Sequence, residues 1–124
     1  MDDVAVVVVG SIHVDHMMRV ERLPEPGETG VAIEAWTQLG GKATNQAIAC
    51  AAHVPTALVG CVGDDVEGEH AVEQLERAGV QARVRRVPNR STGSSVALVD
   101  AGGENLAVIS GGANEELSAS DAGR

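Results

Sequence analysis

Eight consecutive residues, Gly40-Gly41-Lys42-Ala43-Thr44-Asn45-Gln46-Ala47, carry the sharpest chemical signal in this 124-residue chain. Paired glycines let the backbone approach a ligand and adopt positive φ, and the helix they open presents unpaired N–H groups at its start. Lys42 is the only lysine, the other cationic side chains being arginines. Lys42 and Asn45 lie three apart, so both reach towards the same helix end. An ammonium and a carboxamide on one rim suit a polyhydroxylated or anionic ligand. The same residues also fit a tight turn feeding an Ala-rich core helix, with Lys42 in solvent.

Upstream, residues 12–20 alternate. Ile12, Val14, His16, Met18 and Val20 share one face, and His13, Asp15, Met17 and Arg19 share the other. His13 and Asp15 therefore project together, just past the carboxyl end of a strand at Val4–Val9. That strand is a continuous β-branched run ending at Gly10-Ser11, the pattern of a central parallel strand.

The elements that must position these groups follow in order. Pro24, Pro26 and Gly27 make a turn, and Val31–Thr37 alternates as a half-exposed strand. A helix runs from Lys42 to His53 and is stopped by Pro55. Thr56–Cys61 is a short apolar strand. Asp64 or Asp65 caps a second helix that carries Val66, Ala71, Val72, Leu75 and Ala78 and ends at Gly79. Residues 81–87 and 94–100 are strands, and Ala101–Asn105 turns into a last strand at Leu106–Ser110. Strands alternating with helices predict a parallel α/β sheet, with the half-exposed strands forming a smaller sheet beside it.

Composition excludes several functions. A net charge of −9 argues against nucleic acid and anionic membrane as partners, and a single Trp with no Phe or Tyr offers no platform for stacking bases. No apolar run reaches the roughly 20 residues needed to span a bilayer. The acidic start, Met1-Asp2-Asp3, lacks the positive charge of a signal peptide, so a cytoplasmic location is expected. Cys50 and Cys61 have neither CxxC spacing nor a matching His cluster, so no metal site is expected. The spacing after Gly10 also lacks the GxGxxG pattern of a dinucleotide-binding turn.

Six blocks in register resemble the PfkB carbohydrate kinase family, in its ribokinase-like branch. They are residues 7–15 (Val-Val-Val-Gly-Ser-Ile-His-Val-Asp), Pro26-Gly27-Glu28-Thr29, the Gly40–Ala47 run, Gly63-Asp64-Asp65, Ser91-Thr92-Gly93 and Gly111-Gly112-Ala113-Asn114. The resemblance spans nearly the whole chain but only the N-terminal portion of a family member. Leu117–Asp121 also reads as the start of a helix that the chain ends too soon to complete, so a truncated chain is expected.

The resemblance implies a ribokinase-like α/β fold: a parallel sheet with covering helices and a small β-sheet lid, with lid strands at about residues 12–38 and 82–100 inserted. It implies transfer of the ATP γ-phosphoryl group to a sugar hydroxymethyl, ribose to ribose 5-phosphate, with Mg²⁺ and K⁺ activation in the full-length enzyme. It also implies a homodimer clasped through the lid strands. By position, His13, Asp15, Gly41, Lys42 and Asn45 become substrate-binding residues. A carboxylate accepts from two adjacent hydroxyls while lysine and amide donors bind the other side, giving directional recognition of a diol. His13 stands where family members carry an asparagine. The catalytic aspartate and ATP site belong to the C-terminal portion, so no catalytic residue is assigned here, no cofactor is expected on this chain alone, and the chain alone is expected to be inactive. Two alternatives remain: a non-catalytic sugar-binding or dimerising remnant, or a kinase of nucleosides or other sugars within the same family.

Overall fold

The computed structural model describes residues 3–123. Its elements are β1 (Val6–Val9), β2 (His13–Arg19), β3 (Glu34–Gly40), α1 (Lys42–Ala51), β4 (Thr56–Gly63), α2 (Val66–Arg77), β5 (Val80–Val87), β6 (Ser94–Val99) and β7 (Asn105–Ser110). A 3₁₀ turn at Gly112–Glu116 and a one-turn helix, α3 (Ala119–Ala122), follow.

Two sheets organise these elements. The first is parallel, in the order β1-β4-β5, and the second is mixed, in the order β3-β2-β6-β7. In the mixed sheet only the β2–β6 pair is parallel. β4 is central in its sheet and buried along its whole length, which explains its unbroken apolar sequence.

The core lies between the parallel sheet and the two longer helices. Ile12, Leu58, Val62, Leu75 and Val80 are its large buried side chains, with Ala43, Ala47 and Ala71 facing them. Alanine on α1 lets that helix approach closely. A Cβ on Gly10 would stand 2.8 Å from the Ala43 Cβ, so the β1–β2 connection requires glycine there.

The small sheet differs from expectation in one segment. Residues 82–87 are not lid: β5 pairs in parallel with β4, from Thr56↔Val80 to Gly63↔Val87. The second segment of the small sheet is instead β6 and β7, residues 94–110. The reason is that β5 is an edge strand of the parallel sheet. Ala82 and Val84 turn inward while Arg83 stays in solvent, and this imitates the alternation of a half-covered sheet.

Other boundaries shift by a few residues. β3 begins at Glu34 rather than Val31 because its antiparallel register with β2 runs from Arg19↔Glu34 to His13↔Gly40. The expected start of a helix at Leu117–Asp121 is seen as α3, where the Ser118 N–H donates to Asp121 Oδ2 at 3.0 Å. Arg85 holds the same carboxylate through Nε and Nη2, at 2.8 and 3.1 Å.

Candidate functional site

The two sheets meet where β1 passes into β2 and β3 passes into α1. The close approach of these connections is enforced at Gly41, whose φ of 103° is a left-handed value. A Cβ there would stand 2.5 Å from the Ser11 carbonyl oxygen. Gly41 thus starts α1 at a point that opens the helix towards β2.

A cavity of about 450 Å³ lies at this junction, and all five residues singled out from the sequence line it: His13, Asp15, Gly41, Lys42 and Asn45. His13 and Asp15 come from the same face of β2, as alternation requires. Lys42 and Asn45 come from the first turn of α1 and are exposed. The site is therefore split between the small sheet, which contributes the acid, and the helix start, which contributes the ammonium and the carboxamide.

Asp15 is held from two sides. The Ser95 hydroxyl, on β6, donates to Asp15 Oδ1 at 2.7 Å. On the other side Oδ2 lies so close to Gly40 that a Cβ there would stand 2.1 Å from it. The carboxylate thus fills the space a side chain at position 40 would need. His13 is confined similarly, since a Cβ on Gly93 would come within 2.9 Å of its ring Cδ2.

Ser11 also lines the cavity, and Ser95, Ala107 and Ile109 add the remaining wall. Ser95 sits beside Asp15 across the β2–β6 pair, and Ile109 beside Ser95 across the β6–β7 pair. Sequence reading did not reach these three. The β2–β6 pairing joins strands 80 residues apart, so no local pattern announces it. Ala107 and Ile109 supply the apolar part of the lining, which suits the C–H face of a small polyol.

Two side-chain knots fix the junction from below. Asn114 donates through Nδ2 to the Ile12 carbonyl at 2.8 Å and accepts from the Ile12 N–H through Oδ1 at 2.9 Å. This pairs the residue before β2 as a strand would, using a side chain. Asp65, the N-cap of α2, accepts from the Gly68 N–H at 2.8 Å and from the Thr92 hydroxyl and N–H at 2.6 and 2.9 Å. Burial pushes the Asp65 carboxyl upward, but the hydrogen bonds from Thr92 and Gly68 outweigh it and hold the group below the usual aspartate range. Thr92 also accepts from the Gly63 N–H at 2.9 Å, tying β4, α2 and the entry to β6 together.

Among the described residues no group of three or more His, Cys, Asp or Glu side chains is placed to hold a metal ion. No helix of the described residues is long and apolar enough to cross a membrane.

The chain matches the model of the pfkB family carbohydrate kinases over residues 4–122. It is 42% identical to ribokinase of Arabidopsis thaliana over 113 residues, which is 87% of this chain and 30% of that protein. The structure of that ribokinase, complexed with ribose and ATP, superposes with a TM-score of 0.78, over 88% of this chain and 36% of that one. Ribokinase from Giardia lamblia gives a TM-score of 0.86 at 33% identity, over 95% of this chain and 36% of that one. Deoxyribokinase of Salmonella typhi is 34% identical over 121 residues, 96% of this chain and 40% of that protein. The chain therefore spans well under half of the relatives it matches. With a parallel sheet, a mixed second sheet and an unbroken match along nearly its whole length, the chain belongs to the pfkB family of carbohydrate kinases.

Proposed function

We propose that this chain is the sugar-binding portion of a ribokinase-like carbohydrate kinase, and that the sugar is a pentose such as ribose. The observation that carries this reading is the convergence of Asp15, Lys42 and Asn45 on one cavity at the junction of two sheets. Asp15 accepts from sugar hydroxyls, while Lys42 and Asn45 donate from the helix start. Gly41 allows the sugar to approach the backbone, and the His13 ring donates or accepts where a smaller amide would reach less far.

In this reading the sugar hydroxymethyl receives the γ-phosphoryl group of ATP. The nucleotide, Mg²⁺ and the general base fall to the further length that the relatives carry. A donor that is not positioned makes phosphoryl transfer ineffective even with the acceptor bound. The 124-residue chain, given ribose and MgATP, is expected to release no more ADP than a Lys42→Ala control. ADP release above that control contradicts this division of labour.

A second reading is favoured by the outer face of the small sheet. Met18, Val96, Leu106 and Val108 are exposed there, Val108 at 75%. The register places Val96 beside Val108 and Leu98 beside Leu106, so these side chains form one continuous apolar face. We infer that two copies pack through this sheet as a homodimer. Sedimentation is expected to give a dimer at micromolar concentration and a monomer for Val108→Glu. A monomer for the unaltered chain contradicts the reading.

A further inference from the structure

The Ser95 hydroxyl takes up one of the acceptor positions of the Asp15 carboxylate. It donates to Oδ1 at 2.7 Å, and both residues line the cavity and are half-buried. The hydroxyl belongs to the protein and is present before any ligand arrives.

This placement bears on discrimination between sugars. A site built to pair with a substrate hydroxyl rejects the analogue lacking it, because the site's own polar group is then left without a partner. The penalty falls when the protein supplies a substitute donor. With Ser95 on Oδ1, the Asp15 carboxylate keeps one hydrogen bond whether the ligand brings two adjacent hydroxyls or one.

We propose that Ser95 is a specificity-determining and positioning residue that makes this pocket tolerant of deoxy-sugars. The ligand class is pentoses lacking one hydroxyl of a vicinal pair, alongside the full pentose. The proposal rests on the reading of this cavity as the sugar site and extends it.

Geometry gives a second reason. Oδ2 lies in the space a Cβ at Gly40 would need, 2.1 Å from that position, and Oδ1 accepts from Ser95. The carboxylate plane is therefore set before binding, and the ligand does not have to order it. Threonine retains the hydroxyl, whereas alanine removes it and leaves the β6 backbone unchanged.

The test is titration of the ¹⁵N-labelled chain with ribose and with 2-deoxyribose, followed by amide shifts, for the unaltered protein, Ser95→Ala and Ser95→Thr. The unaltered chain is expected to bind the two sugars within about threefold of each other. Ser95→Ala is expected to raise the preference for ribose by about fivefold to tenfold, the scale of one net intramolecular hydrogen bond. Ser95→Thr is expected to restore the original ratio. Retained amide dispersion in both variants confirms that they fold. A ribose to 2-deoxyribose ratio that is the same in Ser95→Ala as in the unaltered chain overturns the role of Ser95 and leaves the sugar site standing. Saturable binding of neither sugar by the unaltered chain overturns the sugar-site reading and the proposal with it.

Discussion

Asp15 and Gly40 occupy one volume between them: a Cβ at position 40 would lie 2.1 Å from Asp15 Oδ2 and 2.7 Å from its Cγ. The two residues are close across the β2–β3 pair, where Asp15 is paired with Gln38 and His13 with Gly40. Glycine at 40 is therefore a condition for the acid to point into the cavity. Its role is spatial, since only Gly41 of the pair has a left-handed φ.

Gly40→Ala is expected to force the carboxylate aside, cost about 1–3 kcal/mol of stability and weaken sugar binding by more than about tenfold. Thermal unfolding and calorimetric titration with ribose together check this. Unchanged binding in a folded Gly40→Ala protein would show that Asp15 acts from another position.

Lys42→Met is expected to leave the melting temperature within about 1 °C, because the side chain is exposed and forms no ion pair with another described residue. Ribose affinity should fall by about tenfold, the loss of one charged donor. The two readouts separate a binding role from a structural one.

Asp65 links stability to pH. Its carboxyl is held below the ordinary value of 3.8, so the unfolded chain takes up the proton more readily than the folded one. The stabilisation is fully present above about pH 5 and is lost as the pH falls through the ordinary value towards the depressed one. Asp65→Asn should flatten the decline in melting temperature on acidification, and Asp65→Ala should cost about 0.5–2 kcal/mol at neutral pH through the lost N-cap. An acid limb as steep in Asp65→Asn as in the unaltered chain would place the linkage elsewhere.

Asn114→Ala removes both side-chain bonds to the Ile12 backbone and leaves a buried residue's N–H and C=O unpaired. A loss of about 1–3 kcal/mol is expected, with faster amide exchange at Ile12 and His13. Unchanged exchange at these positions would mean that the β1–β2 connection does not depend on Asn114.

Much of this was legible in the residues. The apolar runs at β1 and β4 and the capped helix α2 follow from local pattern, and the six blocks carried the family. Alternation alone put His13 and Asp15 on one face of β2, and helical spacing put Lys42 and Asn45 on one rim of α1. What was not legible depends on pairing between distant strands. β5 alternates, with Arg83 outside and Val84 inside, as a half-covered strand does, and only its pairing with β4 separates it from the small sheet. Ser95 and Ile109 were missed because their place beside Asp15 is fixed by the β2–β6 and β6–β7 registers, which leave no trace in local composition. Asn114 belongs to the Gly111–Asn114 block, but its task of replacing backbone partners for Ile12 is visible only in three dimensions.

The most direct measurement is an amide-shift titration of the ¹⁵N-labelled chain with ribose, repeated with Asp15→Asn. Saturable shifts are expected at residues 11–15, 40–45 and 95, with binding weakened by more than about tenfold in Asp15→Asn. Shifts that cluster away from this cavity, or that persist with equal affinity in Asp15→Asn, would contradict the sugar-site reading.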